Sequence, residues 1–343
     1  MTVYANAGAP PGAAAVVEPS VPRPLRFAAL GDSLTAGVGD RVEGGWRGWA
    51  VLLADALTPD GATACAPPGC AAPAPAVPAP AVPAPAVPGP VVAGRVEPAA
   101  VFRNFATSGA LTRDVRAEQT PAALAFGPDI ASVVVGVNDT LRRAFDIASI
   151  ARALDEVCAA LTARGTVLLT ACLPDPGVML GLPAPLARPL ARRQRAVNTL
   201  VHALSARYGA VHLHAADPAW VADRSLWSAD RLHPGERGHR MIAARFHAML
   251  TERGLTLGPP PSREPERPPP SRTEALLWLA TAGTGWIVRR STDLLPELLL
   301  LAGGEMRHWA RGTATRLDLR AEHALSRALT ALPPARPLAR MGE

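Results

Sequence analysis

The chain has no lysine. Its 35 basic residues are all arginine, set against 29 acids, which leaves a formal net charge of +6 over 343 residues. Arginine and lysine differ in geometry but exchange on most surfaces, so this absence reads as the codon bias of a GC-rich coding sequence. A charge of that size at this length gives no argument for a nucleic-acid partner. Cysteine is scarce too: four residues, scattered as Cys65, Cys70, Cys158 and Cys172. Such spacing excludes a small disulfide-stapled fold. Cys158 is expected in a helix and Cys172 at a strand end, both buried. Cys65 and Cys70 flank Ala-Pro-Pro-Gly and are close enough to close a local loop. No run approaches the roughly 20 apolar residues a membrane span requires. The first 23 residues lack a basic start followed by an apolar stretch, so they read as a flexible tail rather than a secretory signal. A cytoplasmic chain with reduced thiols is the expectation.

Apolar residues are plentiful, at 48%, enough for a sizeable core. Proline is also abundant, with 37 residues, about half of them in two stretches. Residues 58–98 carry the near-repeat Ala-Val-Pro-Ala-Pro, which favours an extended polyproline rod or disorder. They read as a surface insert, which a fold tolerates because loop-closure cost grows only logarithmically with length. Residues 255–272 read as a Pro/Arg-rich linker.

The chemistry starts at Phe27-Ala28-Ala29-Leu30, a short apolar run that predicts a buried strand over 26–30. Gly31-Asp32-Ser33 follows as a turn. A strand ending in a Ser-bearing turn puts a hydroxyl at the carboxyl edge of a sheet, where open α/β sheets bind their ligands. A free serine hydroxyl is a weak nucleophile and needs a base. Asp230-Arg231-Leu232-His233 supplies one 200 residues later. An aspartate three residues before the histidine can reach the imidazole and fix its tautomer, leaving the other ring nitrogen for Ser33. The Gly-x-Ser-x-Gly elbow of another hydrolase class is absent, because residue 35 is Thr.

Further strands are predicted at 101–105, 130–135, 166–170 and 210–213. The third of these five, nearly all β-branched, suits a central parallel strand buried on both faces. Helices are predicted at 49–57, 111–125 with a break near Pro121, 147–164, 191–208 and 238–250. Between them, 174–189 reads as a proline-broken loop rimming the substrate pocket. Trp46 and Trp49, in and beside a glycine-rich loop at 37–48, read as packing residues before acyl-pocket residues. His212 and His214 alternate with Leu213 and so share a face. As metal ligands they would need a third partner, and the sequence does not identify one. Asp230, His233 and His239 match no strong zinc pattern. No metal or organic cofactor is expected.

Four blocks in order resemble the SGNH hydrolases, also called the GDSL esterase/lipase family. They are Gly31-Asp32-Ser33-Leu34, Asn104-Phe105-Ala106-Thr107-Ser108-Gly109, Gly136-Val137-Asn138-Asp139 and Asp230-Arg231-Leu232-His233. The resemblance runs from about Arg26 to Gly254. It implies a three-layer α/β/α sandwich around a central, mostly parallel five-stranded sheet, and serine ester hydrolysis of lipid or small-molecule esters. It further implies a catalytic triad of Ser33, His233 and Asp230. The oxyanion would be held by the N–H groups of Ser33 and Gly109 and by the Asn138 amide. Glycine suits that position because its N–H can approach an oxyanion with no Cβ in the way. The apolar 178–182 stretch and the nearby tryptophans favour an acyl-chain substrate. An acyltransferase using the same site, or a scaffold that kept it, are the alternatives.

The expected organisation is a tail at 1–25, a hydrolase domain at 26–254 with the Pro/Ala insert at 58–98, the linker at 255–272 and a helical extension at 273–343. That extension holds Trp278, Trp286 and Trp309 among many arginines. Three readings stand: it docks back on the domain, it mediates self-association or a partner contact, or it lies on an anionic membrane surface.

Overall fold

A computed structural model describes residues 24–57, 64–65, 100–255, 258–267, 273 and 284–334. The expected N-terminal tail up to residue 23, nearly all of the Pro/Ala insert, the pairing of Cys65 with Cys70, Trp278 and the side chain of Trp286 lie outside what is described.

Five strands form the expected sheet: β1 (Arg26–Gly31), β2 (Val101–Asn104), β3 (Ile130–Val134), β4 (Val167–Cys172) and β5 (Val211–His214). They lie in the order β2-β1-β3-β4-β5, and every pair is parallel. A two-residue strand, Ala64–Cys65, pairs parallel with the outer edge of β2. It comes from the insert, whose proline-rich composition carries no strand signal. A second small element, the antiparallel pair Arg41–Val42 and Gly45–Trp46, lies in the glycine-rich loop.

Alternation along β1 sets the two faces of the sheet. Phe27 and Ala29 point to one side, with α1 (Gly48–Ala56) and α5 (Glu236–Thr251) packed over them through Trp49, Leu53, Ile242, Phe246 and Leu250. Ala28 and Leu30 point to the other, under α2 (Thr120–Phe126), α3 (Ile147–Thr162) and α4 (Ala184–Arg207). Trp49 is fully buried and stacks at 5.1 Å on Phe246, so it is a core residue; Trp46 is exposed on the hairpin. The α3 periodicity buries Ile147, Ile150, Leu154, Val157, Cys158 and Leu161 together, as its amphipathic pattern requires.

Two segments depart from the expected elements. The helix expected at 191–208 begins seven residues earlier, and a short helix at Pro176–Met179 occupies part of the expected loop. The prolines do not forbid this. Pro185 sits in the first turn of α4, where its missing N–H costs nothing. Pro189 lies inside the helix and is buried. The helix expected at 111–125 restarts near Pro121 as expected: a π-type stretch at Val115–Gln119, a distortion common at functional sites, leads into α2, with Pro121 in its first turn.

The C-terminal helices α6 (Thr284–Ala310) and α7 (Thr315–Thr330) contact α4 and α3. Arg192 on α4 is held between Glu305 at 3.1 Å and Asp318 at 2.7 Å, and the Glu305 side chain is buried. Ala328 joins the core on that face. The described part of the linker is also fastened. The Glu266 N–H donates to Glu236, Arg240 reaches both Glu266 and the Ser262 carbonyl, and His247 meets the Gly258 carbonyl. Among the described residues, no helix is long and apolar enough to cross a membrane.

Arg47 ties the glycine-rich loop to this framework. It pairs with Asp40 at 2.9 Å, Glu236 at 3.0 Å and Glu266 at 2.9 Å. The Asp40 side chain is 2% exposed. Removing its guanidinium partner leaves a buried carboxylate uncompensated, so Arg47→Ala is expected to cost about 3–5 kcal/mol. Urea unfolding with an unchanged m-value would measure it; a loss under about 1 kcal/mol would mean that the carboxylates repair themselves with solvent.

Candidate active site

β1 delivers Ser33, and the neighbouring strand ends hold it in place. The Asn104 amide at the end of β2 donates to the Thr35 carbonyl at 2.9 Å, while its oxygen accepts the Ala106 N–H. Gln119, on the π-type stretch, grips Gly31 from both sides: its amide donates to the Gly31 carbonyl at 2.9 Å and its oxygen accepts the Gly31 N–H at 2.8 Å. The sequence offers no signal for Gln119, because nothing in a helical pattern marks a side chain that reaches back 88 residues to a strand end.

The loop after β2 is joined to the turn after β3. Thr112 donates to Asp139 through its backbone N–H at 3.1 Å and its hydroxyl at 2.8 Å. The Asn138 amide donates to the Ala110 carbonyl at 3.1 Å and to Asp32 at 3.4 Å. Asn138 is thereby tied both to the Ser33 turn and to the residue after Gly109. Gly109 adopts φ +88°, a conformation costly for other residues. Among the described residues, no acceptor meets the backbone N–H of Ser33 or of Gly109.

The histidine arrives on a folded-back loop. Ser228 N–H donates to the His233 carbonyl, Gly235 N–H to the Leu226 carbonyl, and Trp227 bridges to Pro234. The tight turn between these segments forces Arg231 to φ +60°. Asp230 organises the turn through one carboxylate oxygen, which accepts the Ser228 hydroxyl, the Leu232 N–H and the His233 N–H at 2.7, 2.9 and 3.0 Å. Its other oxygen meets His233 Nδ1 at 2.7 Å. His233 Nε2 lies 2.7 Å from Ser33 Oγ. The glycine-rich loop presses on this turn, since a Cβ on Gly39 would sit 1.9 Å from the Pro234 carbonyl oxygen.

Electrostatics distinguish the carboxylates. Burial pushes Asp230 up, but the hydrogen bond and charge of His233, with help from Ser228, outweigh it and hold Asp230 at about 2. Asp32 and Asp139 are dominated by burial, and each is pushed up to about 6. His239 does not join Asp230 and His233. Its Nδ1 accepts the Trp49 N–H at 3.2 Å and its Nε2 donates to the Val38 carbonyl at 3.0 Å, which fixes it as a neutral core imidazole. Burial pushes its pKa down to about 4.

Ser33, Asn138 and His233 line an open cleft. The walls are apolar, with Leu173, Met179, Trp220, Trp227 and Ile242 among them. Met179 comes from the expected rim segment; Val178 points to solvent. The sequence does not single out the two tryptophans of the cleft; Trp227 donates its indole N–H to the Trp220 carbonyl.

A family model described as the GDSL-like lipase/acylhydrolase family matches residues 69–241. The chain belongs to that family. GDSL-like acylhydrolases are carboxylic ester hydrolases, and the match spans Gly109, Asn138, Asp230 and His233. Ser33 lies upstream of it and joins the other residues through the 2.7 Å contact to His233. Solved structures similar to this GDSL-like chain include LAE5, an α/β hydrolase enzyme from the metagenome of Lake Arreo, Spain, at 18% identity and TM-score 0.46, covering 67% of this chain and 96% of that one. Axe2, an acetylxylan esterase from Geobacillus stearothermophilus, is 15% identical with TM-score 0.45, covering 67% and 95%. The psychrotrophic esterase EstA from a Pseudoalteromonas species is 16% identical with TM-score 0.43, covering 66% and 97%. No curated protein sequence matches the chain.

Proposed function

We propose that the chain cleaves acyl esters through a covalent intermediate on Ser33. The observation that carries this reading is the unbroken hydrogen-bond chain from Asp230 through His233 to Ser33 at the floor of an apolar cleft. Ser33 Oγ attacks the acyl carbonyl as His233 Nε2 takes its proton. The negative charge that develops on the carbonyl oxygen is met by the N–H groups of Ser33 and Gly109 and by the Asn138 amide. One Asn138 proton is held by the Ala110 carbonyl. The other is only loosely engaged by Asp32, at 3.4 Å, and is the one an oxyanion takes over. His233 then protonates the leaving alcohol. Water, deprotonated by the same imidazole, releases the acid and returns the proton to Ser33.

The cleft wall favours an acyl chain over a sugar as the recognised group. Each buried methylene contributes about 0.8 kcal/mol, so kcat/KM on p-nitrophenyl esters should rise roughly tenfold from acetate to butyrate, two methylenes longer. It should then level off or fall once the chain outgrows the cleft. Assay of acetate, butyrate, octanoate and palmitate esters with wild type and Ser33→Ala tests both the chemistry and the acyl preference. A flat profile overturns the acyl preference. Cleavage that persists in Ser33→Ala overturns the mechanism.

A further inference from the structure

The sequence leaves His212 and His214 without a third partner. The fold supplies two. Cys172 at the end of β4 is paired in register with His214, and His202 on α4 covers both histidines. The ring centroids of His202 lie 4.3 Å from His212 and 4.9 Å from His214. The sulfur of Cys172 and one nitrogen from each imidazole all lie within 4.8 Å of one another. We propose that Cys172, His202, His212 and His214 form a zinc site, separate from the ester-cleaving residues.

The hydrogen bonds around His212 support this. Ser205 Oγ donates to the Val201 carbonyl, and Thr170 Oγ1 lies 2.7 Å from Ser205 Oγ. His212 Nδ1 lies 3.0 Å from Thr170 and 3.1 Å from Ser205. The arrangement satisfying all three contacts has Thr170 donating to Ser205 and His212 Nδ1 carrying the proton. The Nε2 lone pair is then left free to bind a metal ion. That nitrogen is buried and has no hydrogen-bond partner among the described residues, a costly state for a polar atom unless something binds there. A metal-binding imidazole is held the same way, with its far N–H on an oxygen acceptor that fixes the tautomer.

One thiolate and three imidazoles make a closed four-ligand set of the kind that suits tetrahedral Zn2+. Bonds of about 2.0–2.3 Å place tetrahedral ligand atoms roughly 3.3–3.7 Å apart, so the cluster has about an ångström to close, within reach of side-chain rotation. The exposed His214 gives the ion a way in. Binding converts the Cys172 thiol to a thiolate and releases one proton per zinc; no redox step is involved. The site would fasten the edge strand β5 to β4 and α4. One turn before His202, Asn198 clamps the backbone of Leu173, a cleft-wall residue, at 3.0 and 2.9 Å.

The test is titration of reduced, chelator-stripped full-length protein with Zn2+ alone. One ion per chain is expected, with a rise in Tm of about 5–10 °C at a hundredfold excess over Kd. Co2+ in its place should give tetrahedral visible bands and a near-ultraviolet thiolate charge-transfer band, the latter lost in Cys172→Ser. His202→Gln and His214→Gln, at half-buried and exposed positions, should weaken Zn2+ at least 100-fold while the apo proteins melt near wild type. A Cys65→Ser/Cys70→Ser variant should bind as wild type does. No stoichiometric binding, or binding that survives His202→Gln and His214→Gln but fails without Cys65 and Cys70, overturns the proposal.

Discussion

Ser33→Ala is expected to lower kcat/KM on p-nitrophenyl butyrate by about 10⁴–10⁶-fold. Among the described residues, Ser33 is the hydroxyl that meets His233 Nε2, at 2.7 Å, so its removal takes away the nucleophile of the proposed reaction. Residual hydrolysis above the background in water would come from substrate binding and oxyanion stabilisation alone. The substitution removes one hydrogen bond from a mostly buried side chain, so stability should change by only about 1 kcal/mol, which a melting curve checks. His233→Ala should cause a similar loss, and the double variant should be no worse than either single one, because the two residues act as a unit. A serine-directed fluorophosphonate should label wild type and fail to label Ser33→Ala. Turnover within tenfold of wild type in the alanine variant would exclude Ser33 as the nucleophile.

Asp230→Asn is expected to reduce kcat by about 10³–10⁴-fold, less than His233→Ala. The reason lies in the two carboxylate oxygens. One accepts three donors from the turn, and the other accepts the proton on His233 Nδ1. An asparagine can keep its oxygen on the turn only by presenting its NH2 to Nδ1. The imidazole then accepts at Nδ1 and carries its proton on Nε2, where it cannot take one from Ser33. The opposite rotamer preserves the tautomer but turns an NH2 toward three donors, which loosens the loop that carries His233. Either way the base survives in a mis-set form. Measured kcat values for the two variants decide the matter: equal losses would mean that the aspartate does more than orient the ring.

Much of this was legible before any coordinates. The run Ile130–Val134 is apolar or small at every position and is buried along its whole length, the pattern of a central parallel strand. The strand-end serine and the Asp-x-x-His spacing point to Ser33, Asp230 and His233, while Gly109 and Asn138 enter through the family resemblance of their blocks. Other features depend on register and on reach across the fold. Prolines suggested a loop where α4 already runs, since Pro185 occupies the one turn of a helix that tolerates it. Trp220 sits in the short helix Pro218–Ala222 and Trp227 just after a single turn at Arg224–Leu226, segments too short for periodicity to carry information. His202 and Cys172 meet His212 and His214 only because β4 pairs with β5 and α4 crosses both, and separations of 10 to 42 residues hide that meeting from a reader of spacing.

The position of β1 has a consequence for the newly made chain. It lies in the middle of the sheet, between β2 and β3, both of which come after the proline-rich insert. The first strand therefore leaves the ribosome with neither neighbour to pair with, and the serine beyond it waits 200 residues for its histidine. At synthesis rates of about 5–20 residues per second, that wait is roughly 10–40 s. Until β2 and β3 follow, roughly 70 to 100 residues later, the apolar segment Phe27–Leu30 has only solvent or a chaperone for company. Esterase activity should appear on nascent chains only after α5 has emerged, and stalling translation anywhere before it should yield an inert, chaperone-bound polypeptide.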